Sequence, residues 1–178
     1  TNYLSQAFWK PPSKGIGTSY HQDNAYFQVS DGSKGAALWI AIHDATVSNG
    51  TLHVARGMHK KGLLPHRRDL ASDHHITCHD HIPESTEVAL EVKAGGVAFF
   101  NLNVPHCTKR NATPNSRAAV AYHFVRSDFF RDRAFPLPEE ADWKTPVVSG
   151  PQSSGGVNEY GLSCDTFERD AEAVLARI

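Results

Sequence analysis

His21 and Asp23 stand two apart in SYHQDNAYF, residues 19–27, between a loop and a β-like segment. Side chains at i and i+2 of a strand project to one face. An imidazole nitrogen and a carboxylate oxygen placed there can take neighbouring positions around one metal ion. The pair alone is weak evidence. With 11 histidines among 178 residues, and aspartate equally common, about 0.7 His-x-Asp pairs arise by chance. A mononuclear non-haem Fe(II) site requires two histidines and one carboxylate on one side of the ion, with three positions left open. The second histidine must therefore come from a strand distant in sequence.

NLNVPHCTKRNATPNSRAAVAYHF, residues 101–124, supplies a candidate in His106, with Arg117 eleven positions later at the start of another strand. Taken singly, His106 reads more readily as a turn histidine, a reading that Pro105 before it favours. Arg117 is more informative. It shares a strand face with Ala119 and Ala121, both small, so its guanidinium can reach into space that these residues leave unfilled. A buried guanidinium fork binds a carboxylate through two hydrogen bonds, which suits the distal carboxylate of 2-oxoglutarate.

The elements that must position these residues are short β runs from about residue 3 to 126. ALWIAIHDA (37–45) is apolar and runs into Asn49-Gly50, a hairpin-turn dipeptide, with TLHVA (51–55) expected as the returning strand. EVALEV (87–92) alternates, GGVAFFNL (95–102) follows a two-glycine turn, and RAAVAYHFV (117–125) is the last clear strand. The count and spacing read as a mainly β domain, a sandwich or barrel, and a jelly roll suits the count. Residues 56–86 read as one long loop. Beyond 127 the chain is rich in proline and glycine. It closes on an expected C-terminal helix, with Asp165 as cap, Glu168 three residues on, and Phe167, Ala171, Val174, Leu175 and Ile178 on one face.

Composition excludes several classes. The length fits a single domain, 1–178, with a substantial core. A net charge of −1 with mixed signs argues against nucleic-acid or membrane-surface partners. The longest apolar runs, AALWIAI and GGVAFF, are too short to span a bilayer, and no basic-then-apolar leader opens the chain. Cys78, Cys107 and Cys164 are odd in number and lack CxxC spacing. They predict no disulfide framework and a reducing, cytoplasmic location. His74, His75, His79, His81 and Cys78 are too irregular for a structural zinc site and read as a solvated loop. His66, Arg67 and Arg68 are either a solvated turn or a patch for an anionic substrate.

Over roughly residues 6–126 the segments KPP, HQD, LWIAIHDATVSNGTLHVARGMHKKG, GGVAFF and HCTKRNATPNSRAAVAYHF occur in a specific order. In that order the chain resembles the phytanoyl-CoA dioxygenase family of Fe(II)/2-oxoglutarate-dependent oxygenases. The resemblance implies a double-stranded β-helix with a metal triad of His21, Asp23 and His106, which are then also the catalytic set. It implies co-substrate contacts from Arg117, Thr108, Trp39 and Gln6; on residue type alone Trp39 reads as core and Thr108 as a turn residue. It further implies Fe(II), 2-oxoglutarate and O2 as cofactors, and hydroxylation of an unactivated C–H of a small molecule with release of succinate and CO2. Asp23 occupies the position where related halogenases carry a small residue, so hydroxylation is expected over halogenation. The helical N-terminal part normal in the family is expected to be missing from this chain, and 60–86 carries no family pattern. Two rival readings are a non-catalytic jelly-roll binding protein and a cupin-type metalloenzyme that does not use 2-oxoglutarate.

Overall fold

The computed structural model describes residues 2–68 and 76–125. Among the described residues there are ten strands: β1 (Asn2–Lys10), β2 (Thr18–His21), β3 (Gly35–Ala41), β4 (Leu52–Ala55), β5 (His66–Arg68), β6 (Ile76–Cys78), β7 (Glu87–Leu90), β8 (Val97–Asn101), β9 (His106–Thr108) and β10 (Arg117–Val125). Eight of them form two four-stranded antiparallel sheets, a major one ordered β1-β10-β3-β8 and a minor one ordered β2-β9-β4-β7. This is the expected jelly roll, a double-stranded β-helix.

Strict alternation drives the major sheet. Along β3 every second residue (Gly35, Ala37, Trp39, Ala41) is buried, and along β10 the buried set is Arg117, Ala119, Ala121, His123 and Val125. Trp39, Ala41, Ala98, Ala119 and Ala121 meet Leu52 of the minor sheet, with Val54, Leu90 and Val92 packed against them. The alanines are consequential. Between two sheets they leave room that larger side chains would fill.

A second cluster of Phe27, Val29, Leu102 and Val125 supports the short helix α1 (Asn24–Phe27), whose Asn24 N–H donates to the Leu102 carbonyl at 3.0 Å. Leu102 is fully buried. Leu102→Ala should destabilise the protein by about 2–5 kcal/mol, read as a lower urea midpoint with an unchanged slope.

Three expectations are corrected. Asn49-Gly50 does not close a hairpin, because β3 belongs to the major sheet and β4 to the minor one. The turn instead carries the chain from sheet to sheet, held by the Asn49 side chain, which bonds Thr46 N at 2.8 Å and Asp44 O at 2.7 Å. Gly50 is required there: its φ is +80°, and a Cβ would lie 2.3 Å from the Lys109 carbonyl oxygen. Second, residues 56–86 are not one structureless loop. They contain 3₁₀ turns at Met58–Lys61 and Glu84–Thr86 and the β5–β6 ladder, and Met58 and Ile82 pack with Ala55 and Tyr20. Third, Asp23 is not a strand residue but the N-cap of α1. The expected C-terminal helix, Cys164, His74 and His75 lie outside the described residues.

Cys78 and Cys107 are free thiols. Among the described residues no helix is long and apolar enough to cross a membrane.

Candidate metal centre

The minor sheet brings the two histidines together. β2 and β9 run antiparallel with His21 opposite His106, and their rings lie 4.3 Å apart between centroids. The chain then turns sharply into α1. An N-cap aspartate ordinarily spends its carboxylate on the first backbone N–H groups of its helix. Asp23 makes no such bond, and its side chain stands instead beside the histidines. Its Oδ1 is 3.6 Å from His106 Nε2. One ligand atom from each of His21, Asp23 and His106 lies within 4.8 Å of the other two, and all three residues are buried. Among the described residues it is the one such group of three.

Ring orientation suits ligation. His21 Nδ1 donates to the Ser19 carbonyl at 2.9 Å and His106 Nδ1 to the Val104 carbonyl at 3.0 Å. Each contact fixes the tautomer and leaves Nε2 as the nitrogen that can bind a metal, the usual outer support of a ligating histidine. Burial pushes the Asp23 carboxyl up, but His106, His123 and His21 around it outweigh that and hold its pKa at about 2. The donor set is thus two imidazoles and an ionised carboxylate. It fits Fe(II).

Gln22, between the two ligands, faces the other way. Its amide donates to Gly62 O at 2.8 Å and Asn103 O at 2.6 Å and accepts from Leu64 N at 2.7 Å, while its backbone N–H donates to His66 Nε2 at 3.1 Å. The turn that carries His21 and Asp23 is therefore tied to the segment that follows residue 60. His66 is used in that tie, and Arg67 is exposed.

All seven residues singled out in the sequence line one cavity of about 890 Å3: His21, Asp23 and His106, then Arg117 and Thr108, then Trp39 and Gln6. Arg117 is 1% exposed. Its Nη2 donates to the Gly50 carbonyl, its Cζ lies 5.4 Å from the Trp39 ring centroid, and its Nε is buried without a hydrogen-bond partner among the described residues. Burial pulls its pKa down to about 10, which still leaves it charged at neutral pH. Thr108 Oγ1 lies 3.0 Å from Thr18 Oγ1, across the β2–β9 pair. Trp39 is both core and cavity wall, since it belongs to the main apolar cluster and also faces Arg117.

Two residues escaped the sequence reading. His123 Nε2 is 3.4 Å from Asp23 Oδ2, so a third imidazole steadies the carboxylate. It lies on the Arg117, Ala119, Ala121 face of β10, and the same alternation could have found it. Lys10, the lysine of KPP, is buried at the end of β1 and lines the cavity opposite Arg117.

A double-stranded β-helix whose core holds two histidines and a carboxylate around one point defines the class of non-haem iron oxygenases. The comparisons narrow this. The family model "Phytanoyl-CoA dioxygenase (PhyH)" matches residues 1–119, and the chain belongs to that family. A phytanoyl-CoA dioxygenase of Arabidopsis thaliana is 35% identical over 127 residues, covering 70% of this chain and 44% of the relative. Among solved structures, the non-haem monooxygenase ThoJ in its apo form is 30% identical with a TM-score of 0.59, over 68% of this chain and 44% of that one. EvdO2 from Micromonospora carbonacea var. aurantiaca complexed with 2-oxoglutarate is 30% identical with a TM-score of 0.58, over 67% and 49%. The chain thus spans less than half the length of these relatives. Oxygenases of this kind use Fe(II), 2-oxoglutarate and O2.

Proposed function

We propose that this chain carries the catalytic domain of an Fe(II)/2-oxoglutarate-dependent dioxygenase that hydroxylates an unactivated C–H of a small-molecule substrate, releasing succinate and CO2. The observation that carries the reading is a buried donor set of His21, Asp23 and His106 in the same cavity as a buried, partly unpartnered Arg117. Metal-binding groups and a carboxylate receptor in one space are what a 2-oxo dicarboxylic acid requires. A metal-independent binding protein has no need of both.

His21, Asp23 and His106 hold Fe(II), which when bound supplies activation of O2 coupled to oxidation of 2-oxoglutarate. The protein's residues position and exclude. Arg117 grips the distal carboxylate, Trp39 walls the site beside it, and Thr108 and Gln6 complete the co-substrate contacts. Phe100, whose ring centroid lies 4.9 Å from that of His106, keeps water from one side of the centre. Asp23 fills the coordination position with a carboxylate, which favours hydroxylation over halogenation. The scattered free cysteines favour a cytoplasmic location, and the substrate binds as a small molecule without nucleic acid or membrane.

The test is anaerobic addition of Fe(II) and 2-oxoglutarate, which should give a weak visible charge-transfer band, followed by O2 and assay of succinate. A band and succinate support the reading. Metal binding without either points to an enzyme of another cofactor class. No metal binding at all points to a protein without catalysis.

A further inference from the structure

The cavity holds a second buried cation that the functional reading does not use. Lys10 is 8% exposed, which is unusual for lysine, and the β1–β10 register sets it directly opposite Arg117. The two residues line the same cavity. Among the described residues neither has a carboxylate within ion-pairing distance. Two like charges are therefore withdrawn from water side by side without a counter-ion, an arrangement that costs stability unless an anion joins them.

We propose that Lys10 is a second cation of the co-substrate pocket: its ammonium and the Arg117 guanidinium together hold the distal carboxylate of a 2-oxo dicarboxylic acid. The inference rests on the oxygenase reading above and adds a selectivity residue to it. Donors are available for the purpose. The ammonium donates to the Ile16 carbonyl, which uses one of its three N–H groups. Arg117 uses Nη2 on Gly50 and keeps Nε unpartnered. A carboxylate offers about four acceptor sites, enough for both cations at once.

Anchoring the loop after β1 is an insufficient reason for this lysine. That loop already lies tightly over it, since a Cβ on Gly15 would come 2.8 Å from Lys10 Cβ and 3.0 Å from Asn111 Cβ. Backbone bonds from Gly15 N to Pro11 O and from Asn111 N to Gly15 O hold the loop without help from the ammonium. A neutral side chain would fill the position without the cost of burying a charge beside Arg117.

The groups that bear on the ammonium are Arg117 on β10, Cys107 on β9, and Lys14 of the following loop, which also lines the cavity. Burial and then Arg117 lower the pKa of Lys10 to about 8, against a smaller opposing effect of Cys107. The ammonium is therefore charged at neutral pH. It loses its proton as pH rises through about 8, and a bound carboxylate moves that loss upward.

The experiment compares two ligands on anaerobic Fe(II)-loaded protein by isothermal titration calorimetry: 2-oxoglutarate, and 2-oxopentanoate, which lacks the distal carboxylate. In Lys10→Met the Kd for 2-oxoglutarate should rise roughly tenfold to hundredfold, the range for one charge-assisted hydrogen bond. The Kd for 2-oxopentanoate should stay within about twofold of wild type, and Lys10→Arg should restore most of the 2-oxoglutarate affinity. Between pH 7 and 9.5 the wild-type affinity for 2-oxoglutarate should fall while that of Lys10→Met stays flat. Equal weakening of both ligands in Lys10→Met would overturn the inference and leave Lys10 as a loop anchor. No change for either ligand would overturn it as well. Failure of 2-oxoglutarate to bind wild-type Fe(II) protein would instead overturn the oxygenase reading beneath it.

Discussion

His106→Ala protein should bind Fe(II) at least about 100-fold more weakly than wild type and turn over no substrate at wild-type working iron levels, while keeping its fold. Changes to outer supports of a metal ligand already cost 10–100-fold in affinity or activity, and this change deletes a ligand itself. The fold should survive because His106 sits at the start of the three-residue β9, whereas the core rests on Trp39, Leu52 and the alanines of β3, β8 and β10. Metal-free wild type and variant should therefore unfold at similar urea concentrations. Saturating Fe(II) should separate them by the linkage term, about 2.7 kcal/mol at a hundred times the Kd. His21→Ala should behave alike. Asp23→Ala should lose iron too, but it leaves His21, His106 and His123 close together with no carboxylate among them. Iron affinity is measured by anaerobic competition with a chelator. Full activity in purified His106→Ala at working iron levels would remove His106 from the centre.

The site was legible because strand alternation is a local rule with a global consequence. Arg117, Ala119 and Ala121 fall on one face by position alone, and small residues beside a buried arginine imply the space that the structure contains. His123 follows from the same rule one step further along. The His-x-Asp spacing put His21 and Asp23 beside one another through the wrong element, since Asp23 is an N-cap. A strand and an N-cap can both present residues i and i+2 together, and aspartate suits either.

The rest needed information that no short window carries. Asn49-Gly50 marks a reversal of direction equally well inside a hairpin and between two sheets. Which strand β3 meets is decided by β10 and β8, some 60 to 80 residues away in the chain. Strands of three residues such as β5 and β6 show no period to detect. Lys10 was passed over because lysine at a strand end is normally solvated, and only the register with Arg117 reveals that it is buried.

Arg117→Ala should weaken 2-oxoglutarate binding by roughly 30-fold or more while leaving Fe(II) affinity in the absence of co-substrate near wild type. The side chain is 1% exposed, donates to the Gly50 carbonyl and lies over Trp39, so its loss removes none of the three candidate iron ligands. What disappears is a charge-assisted contact from a side chain withdrawn from water. Deleting one partner of such a pair costs about 2–5 kcal/mol, at about 1.4 kcal/mol per decade of affinity. The Gly50 carbonyl also loses its donor, so some loss of stability accompanies the variant and is read separately by urea unfolding. Arg117→Lys separates charge from shape. An ammonium restores the charge but not the planar fork that can meet two carboxylate oxygens while stacked near Trp39, so rescue should be partial. Titration of 2-oxoglutarate into the anaerobic Fe(II) forms, followed by the charge-transfer band, measures both variants. Unchanged affinity in Arg117→Ala would mean that another cation holds the carboxylate, with Lys10 the nearest one in register, or that the cavity is not built for 2-oxoglutarate.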